Sequence, residues 1–282
     1  MRDRAGGVAR GGALAALLLV SAWLAGPAAA AGTATPPDAF PQVAEAYWVE
    51  VDGRPLWAGR PDARLPMASL TKLMTALIVA EEADLGATVV ASTGAARETG
   101  TRMGLRAGER FRARDLFDAM LVRSANDACR ALADWHAGDQ AAFVVAMNAK
   151  ARDLGLANTS FADACGHDAP TQYASARDVA TLARAAIARP EILAAAALRE
   201  LRVASLDGRV FQLRSTNALL GRLDGARGLK TGWTPGAGQC LVALVERDGV
   251  RVLAVLLHAP DRWWDSVGLL ELAFEEARSP PR

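Results

Sequence analysis

Near its C-terminal end the chain carries two apolar runs, CLVALVE and VRVLAVLLH, separated by Arg247-Asp248-Gly249. Strand-length apolar segments on either side of an Asp-Gly pair specify an antiparallel hairpin, because Asp-Gly accepts the positive φ angles that a tight turn demands. Gln239–Glu246 and Val250–Leu257 are therefore read as neighbouring strands. Val49–Val51 and Leu56–Ala58, joined at Asp52-Gly53, form a second hairpin, and from about Arg202 the strand pattern returns in Val210–Leu213 and Leu229–Thr231. Between these ends the period changes. Leu70, Leu73, Met74, Leu77 and Ile78 recur at helical spacing from Ser69 onward, which predicts a largely buried helix. Ala113–Ala133, Asp139–Leu154 and Ser175–Ala188 read as further helices, with Gly155 and Pro190 as stops, and Arg262–Ala277 as a closing amphipathic helix. The class expected is α+β: an antiparallel sheet with packed helices, and a helical part of about residues 70–200 inserted between strands.

The N-terminal stretch has a different character. Arg2, Arg4 and Arg10 precede the apolar run Ala13–Ala25, and small residues follow, which is the pattern of a secretory signal peptide cut near Ala30–Ala31. The expected organisation is a signal peptide over 1–31, a Pro-rich linker over 32–43 and one folded domain over 44–282, placed in the periplasm or cell envelope. No later segment is apolar for long enough to span a bilayer, and no clear membrane anchor is expected in the mature chain. A net charge of +1 with both signs interspersed speaks against a nucleic-acid surface. Cys129, Cys165 and Cys240 show no CxxC pairing and read as small buried residues, with at most one pair bridged. His136, His167 and His258 are isolated, so neither a metal nor a cofactor is expected.

Basic residues are written almost throughout as arginine, and Lys72, Lys150 and Lys230 are the three exceptions. Lys72 follows Ser69 by three positions, so a helical turn brings amine and hydroxyl onto one face. A serine hydroxyl attacks a carbonyl only when a base takes its proton. Lysine can be that base once its pKa is depressed, whereas arginine does not deprotonate in proteins. Lys230 lies in LKTGWTPGAG, where it would offer charge to a carboxylate and depress Lys72. There Thr231 and Thr234 offer hydroxyls, and Gly232 lets an extended substrate approach the strand. Ser124 and Asn126 open a helical run in RSANDAC; taken alone they would be helix caps, and beside Ser69 they would relay a proton and hold Lys72. Lys150 reads as an exposed helix-end charge without a role.

S-x-x-K, S-x-N and K-T-G in this order resemble the serine D-Ala-D-Ala peptidases, the low-molecular-mass penicillin-binding proteins. The likeness runs from about Ala44 to Ala277 and includes FADACGHD and RSTNALL. It implies a β-lactamase/D,D-peptidase-like fold, with Ser69 as acylated nucleophile and Lys72 as its base. Ser124 and Asn126 would assist, and Lys230, Thr231, Gly232, Trp233 and Thr234 would line the substrate strand. The oxyanion hole would be the N–H groups of Ser69 and Trp233. The implied partner is the peptidoglycan stem peptide, with β-lactams as covalent inhibitors and D-alanyl-D-alanine carboxypeptidase as the activity.

Departures from the family pattern are Cys165-Gly166-His167 in place of His-Gly-Leu, Trp233 after the KTG triplet, and Arg262 as the nearest arginine for a terminal carboxylate. With residue 282 as its last, the chain is expected to lack the further β-domain that many carboxypeptidases append, in which it would resemble the shorter D,D-endopeptidases. Endopeptidase is the alternative activity. β-Lactamase chemistry would need a glutamate placed for deacylation, and Glu191 in RPEILAA does not fit.

Overall fold

The computed structural model describes residues 36–278; the expected signal peptide lies outside them. Its elements follow in chain order. Strands β1 (Ala46–Val51) and β2 (Arg54–Gly59) lead through a 3₁₀ turn (Ala68–Thr71) into helix α1 (Lys72–Glu82). Then come β3 (Thr88–Val90), α2 (Thr93–Ala96), β4 (Arg110–Arg112), α3 (Ala113–Val122), α4 (Asn126–Ala137), α5 (Gln140–Asp153), α6 (Ala176–Ile187) and α7 (Pro190–Ala196). The chain closes with β5 (Glu200–Ala204), β6 (Val210–Arg214), β7 (Ala226–Thr234), β8 (Gly238–Arg247), β9 (Val250–Ala259) and α8 (Trp264–Arg278).

The main sheet is antiparallel, in the order β2-β1-β9-β8-β7. Its hairpins turn where the Asp-Gly pairs predict: Asp52 and Gly53 have φ 48 and 76, and Asp248 and Gly249 have φ 50 and 80. Both central residues of such a turn need positive φ. Cys240–Val245 in β8 and Val252–Leu257 in β9 are apolar at every position because both sheet faces are covered there. Val242, Leu244, Leu253 and Val255 join the helical core, while Leu241, Ala243, Val252 and Ala254 meet Leu269, Leu270 and Phe274 of α8.

Helix α1 is buried from Lys72 through Val79 and sits among α3, α4, α5, α6 and α7. Each fully buried Leu or Ile on it contributes about 2 kcal/mol by leaving water. The α+β class is as expected, with one correction in the helical part. The helix expected over Ala113–Ala133 is two helices, broken at Arg123-Ser124-Ala125, where Ser124 adopts φ 61. A left-handed residue cannot continue a right-handed helix, so the chain turns there. Pro190 does stop α6, and it also starts α7 from the first helical position, where its missing N–H costs nothing.

Candidate active site

Ser69 stands in the 3₁₀ turn rather than in α1 itself. Positions i and i+3 eclipse in such a turn, and Lys72 Nζ lies 2.9 Å from Ser69 Oγ. The turn is entered through Ala68 at φ 48, a conformation that costs a non-glycine residue about 1 kcal/mol. Neighbours hold it: Thr71 Oγ1 donates to Ala68 O at 2.8 Å, and Gly166 lies so close that a Cβ there would come 2.1 Å from that oxygen.

Lys72 has no exposed surface. Besides Ser69, its Nζ reaches Asn126 Oδ1 at 2.7 Å and the carbonyl oxygen of Cys165. A neutral amine has two N–H groups and one lone pair. Asn126 and Cys165 can accept the two N–H groups, which leaves the lone pair for the proton of Ser69. Burial brings the Lys72 amine down to about 7, against Asp163, Glu98 and Asp127, which favour the ammonium. The expectation that Lys230 depresses Lys72 is thus corrected, since burial does it. Lys230 is itself lowered well below the ordinary lysine range, by burial first and then by Lys72 and Arg262.

The break between α3 and α4 turns two would-be cap residues to other partners. Ala125 is the cap of α4 and makes no side-chain bond. Lys230 Nζ donates to Ser124 Oγ at 2.8 Å and to Thr231 O at 2.9 Å, so Ser124 meets one lysine and Asn126 the other. On β7, Gly232 allows close approach: a Cβ there would sit 3.1 Å from Ser69 N and 3.0 Å from Met67 O. Thr231 Oγ1 lies 2.7 Å from Thr216 Oγ1 in the RSTN segment, and Trp233 is 62% exposed. The Thr234 hydroxyl donates to Asp168 Oδ1 at 2.5 Å. Arg262 lies beside the strand, donating to the carbonyls of Gly232 and Cys240. Lys150 is not a free helix end; it binds Glu81, which Arg189 also holds at 2.6 Å.

Sequence reasoning assigned no role to the 163–168 loop. Asp163 Oδ1 accepts from the N–H groups of Cys165 (2.8 Å), Gly166 and His167 (3.0 Å), and its Oδ2 lies 3.1 Å from His167 Nδ1. Burial would raise the Asp163 carboxyl, but His167 and these N–H groups carry it down to about 2. The bond to Asp163 raises the His167 imidazole, whose Nε2 lies 3.3 Å from Asn126 Nδ2 and 3.4 Å from Thr99 Oγ1. A disulfide between Cys129 and Cys165 ties the loop to α4, while Cys240 is buried and free, its thiol pushed up to about 11 by burial. The available signal was Asp163 three residues before Gly166, the pattern of a side-chain-capped turn. A cleft of about 750 Å³ opens over Ser69, Asn126, Gly166, His167 and Trp233. Among the described residues no cluster of His, Cys, Asp and Glu could hold a metal, and no helix is long and apolar enough to cross a membrane.

Sheet and helical block together have the fold of the D,D-peptidases and low-molecular-mass penicillin-binding proteins. Residues 33–261 match the Peptidase_S11 family, described as D-alanyl-D-alanine carboxypeptidase, and the chain belongs to it. It is 35% identical over 234 residues to D-alanyl-D-alanine carboxypeptidase DacC of Escherichia coli, covering 78% of this chain and 58% of that one. To the D-alanyl-D-alanine endopeptidase of Pseudomonas aeruginosa it is 33% identical over 216 residues, covering 73% of this chain and 68% of that one. The ampicillin-bound penicillin-binding protein D2 of Listeria monocytogenes superimposes with a TM-score of 0.73 at 32% identity, covering 82% of this chain and 97% of that one. The chain spans about three fifths of the length of the first curated relatives it matches.

Proposed function

We propose that this chain is a serine-type D-alanyl-D-alanine carboxypeptidase that trims peptidoglycan stem peptides through an acyl-enzyme on Ser69. One observation carries the reading: a fully buried amine, lowered to about 7, stands 2.9 Å from the hydroxyl of Ser69. Lys72 takes the Ser69 proton as Oγ bonds to the carbonyl carbon of the penultimate D-Ala. The N–H groups of Ser69 and Trp233 receive the oxyanion, and Gly232 allows the peptide to lie along β7. As the C–N bond breaks, Ser124 passes a proton to the departing amine, and the proton held by Lys72 restores it through the Lys230–Ser124 side of the site. Asn126 keeps the Lys72 lone pair aimed. Water, deprotonated by Lys72, then adds to the ester carbonyl, and Ser69 leaves with its proton. A β-lactam would acylate Ser69 by the same first step, its leaving nitrogen staying tethered through the opened ring.

The secretion pattern over 1–31, the linker over 32–43 and the domain over 44–282 fit an enzyme of the bacterial envelope. The likeness to the Pseudomonas aeruginosa endopeptidase favours a second reading, in which the same residues cleave a cross-link between stem peptides. Fluorescent penicillin should label the wild-type chain covalently, and Ser69→Ala should abolish the adduct; labelling that survives this change refutes the reading. Free D-Ala released from a pentapeptide, compared with cleavage of a cross-linked dimer, decides between the two activities.

A further inference from the structure

The three groups that meet the Lys72 amine come from three separate pieces of chain. Ser69 lies in the 3₁₀ turn, Asn126 at the start of α4, and the Cys165 carbonyl in the 163–168 loop. Asn126 and Cys165 take the two N–H groups of the neutral amine, and the lone pair faces Ser69 only while both acceptors keep their places.

A covalent link joins those two acceptors. Cys129 follows Asn126 by three positions on α4, so the two lie on one helix face. Its sulfur is bonded to that of Cys165, the residue whose carbonyl meets Lys72. Both cysteines are buried, and the Cys165 sulfur lies 3.5 Å from Asn126 O. Other contacts fold the loop itself: Asp163 accepts from three of its N–H groups, and Thr75 of α1 donates to Ala164 O at 2.6 Å. His167 Nε2 also approaches Asn126 Nδ2, at 3.3 Å, but a protonated imidazole cannot accept from an amide N–H, so that contact is conditional. The disulfide is not. Cys165 stands where the family pattern has a histidine, which puts the bridge outside that pattern.

We propose that the Cys129–Cys165 bridge is a positioning element for acylation: it fixes the Asn126 amide and the Cys165 carbonyl relative to each other, so that both accept from Lys72 and its lone pair stays on Ser69. This deepens the reading of Ser69 and Lys72 as nucleophile and base, and rests on it. Opening the bridge lets α4 and the loop separate, water reaches the amine, and part of the burial that lowers it is lost. The charged groups that act on Lys72 or feel it are Asp163 and His167 of the loop, Glu98 beyond α2, Asp127 of α4 and Lys230 of β7. Replacing the cysteines removes none of them, so a change in the pH dependence reports the water.

The test follows the rate of labelling by fluorescent penicillin between about pH 6 and about pH 9 in three chains. They are the wild type, Cys129→Ala/Cys165→Ala and Leu270→Ala, the last of which thins the packing of α8 on the other face of the sheet and lowers Tm without touching the site. In the double variant the acid limb should move up by about one pH unit, and labelling at pH 7 should fall about five-fold. Leu270→Ala should keep the wild-type limb. The wild-type chain reduced by dithiothreitol in mild urea, then returned to buffer, should show the same displacement. There the bridge gains two electrons and two protons as two thiols, and the dithiol closes to a cyclic disulfide. Oxidised glutathione, which leaves as two reduced molecules when the bridge re-forms, should restore the limb. Melting curves show that each form is folded at the assay temperature. A limb that keeps its wild-type position in the double variant or in the reduced chain overturns the inference, whatever happens to Tm, as does an equal displacement in Leu270→Ala. A bridge without which neither form folds is structural only, and also overturns it. A wild-type chain that penicillin does not label overturns the reading beneath, and the inference with it.

Discussion

Acylation should follow the ionisation of Lys72, and the structure sets the size of the effect. A lysine at its ordinary 10.5 would be neutral in about one molecule in 3,000 at pH 7, whereas Lys72 at about 7 is neutral in about half. That difference corresponds to about 5 kcal/mol, supplied by burial. The second-order rate constant for labelling by fluorescent penicillin, measured by stopped quench between about pH 5 and about pH 9, should fall about ten-fold per unit below pH 7 and level off above it. Lys72→Arg keeps the cation and removes the base, so labelling should drop by at least about 10³ and not recover at high pH. His167 also titrates beside Asn126, raised by its bond to Asp163. The profile is therefore repeated in His167→Gln, where the limb must persist. A flat profile, a limb that vanishes in His167→Gln, or an arginine variant within ten-fold of wild type would each refute Lys72 as the base.

Other outcomes follow from packing and linkage. Gly166→Ala places a Cβ 2.1 Å from Ala68 O at φ 95, and should lower stability by about 3 kcal/mol or more, read as a fall in Tm, with loss of labelling. Asp163→Asn removes the charge that the N–H groups of Cys165, Gly166 and His167 surround; urea midpoints should show a loss of about 2 kcal/mol. Reducing the Cys129–Cys165 bridge, whose cysteines are 36 residues apart, should cost about 4 kcal/mol in the same assay. Because Lys72 is lowered on folding, the unfolded chain binds more protons above pH 7, and stability rises with pH through that range. Calorimetry between about pH 7 and about pH 9 should show this slope, at most about 1.4 kcal/mol per unit from this group, and Lys72→Met should remove that share while the share from Lys230, also lowered on folding, remains.

Local patterns carried much of this protein. The Asp-Gly turns, the apolar runs of β8 and β9 and the period change after Ser69 are short-range facts, and each appears in the structure where the residues place it. The triplets around Ser69, Ser124 and Lys230 were legible for the same reason, since a turn or a strand fixes the relative direction of residues a few positions apart. Other features were not written locally. The break at Ser124 opposes the helical pattern around it, and the partner that Ser124 meets there, Lys230, is 106 residues away. The third partner of Lys72 is a backbone carbonyl, at Cys165, which no side-chain motif can announce. Thr234 looked free until Asp168 was folded against it, and Lys150 looked free until Glu81 was. Sequence alone chose the chemical groups and their local geometry. The tertiary structure decided which of them lose water and which distant atoms they meet, and for Lys72 the loss of water is what sets the pKa.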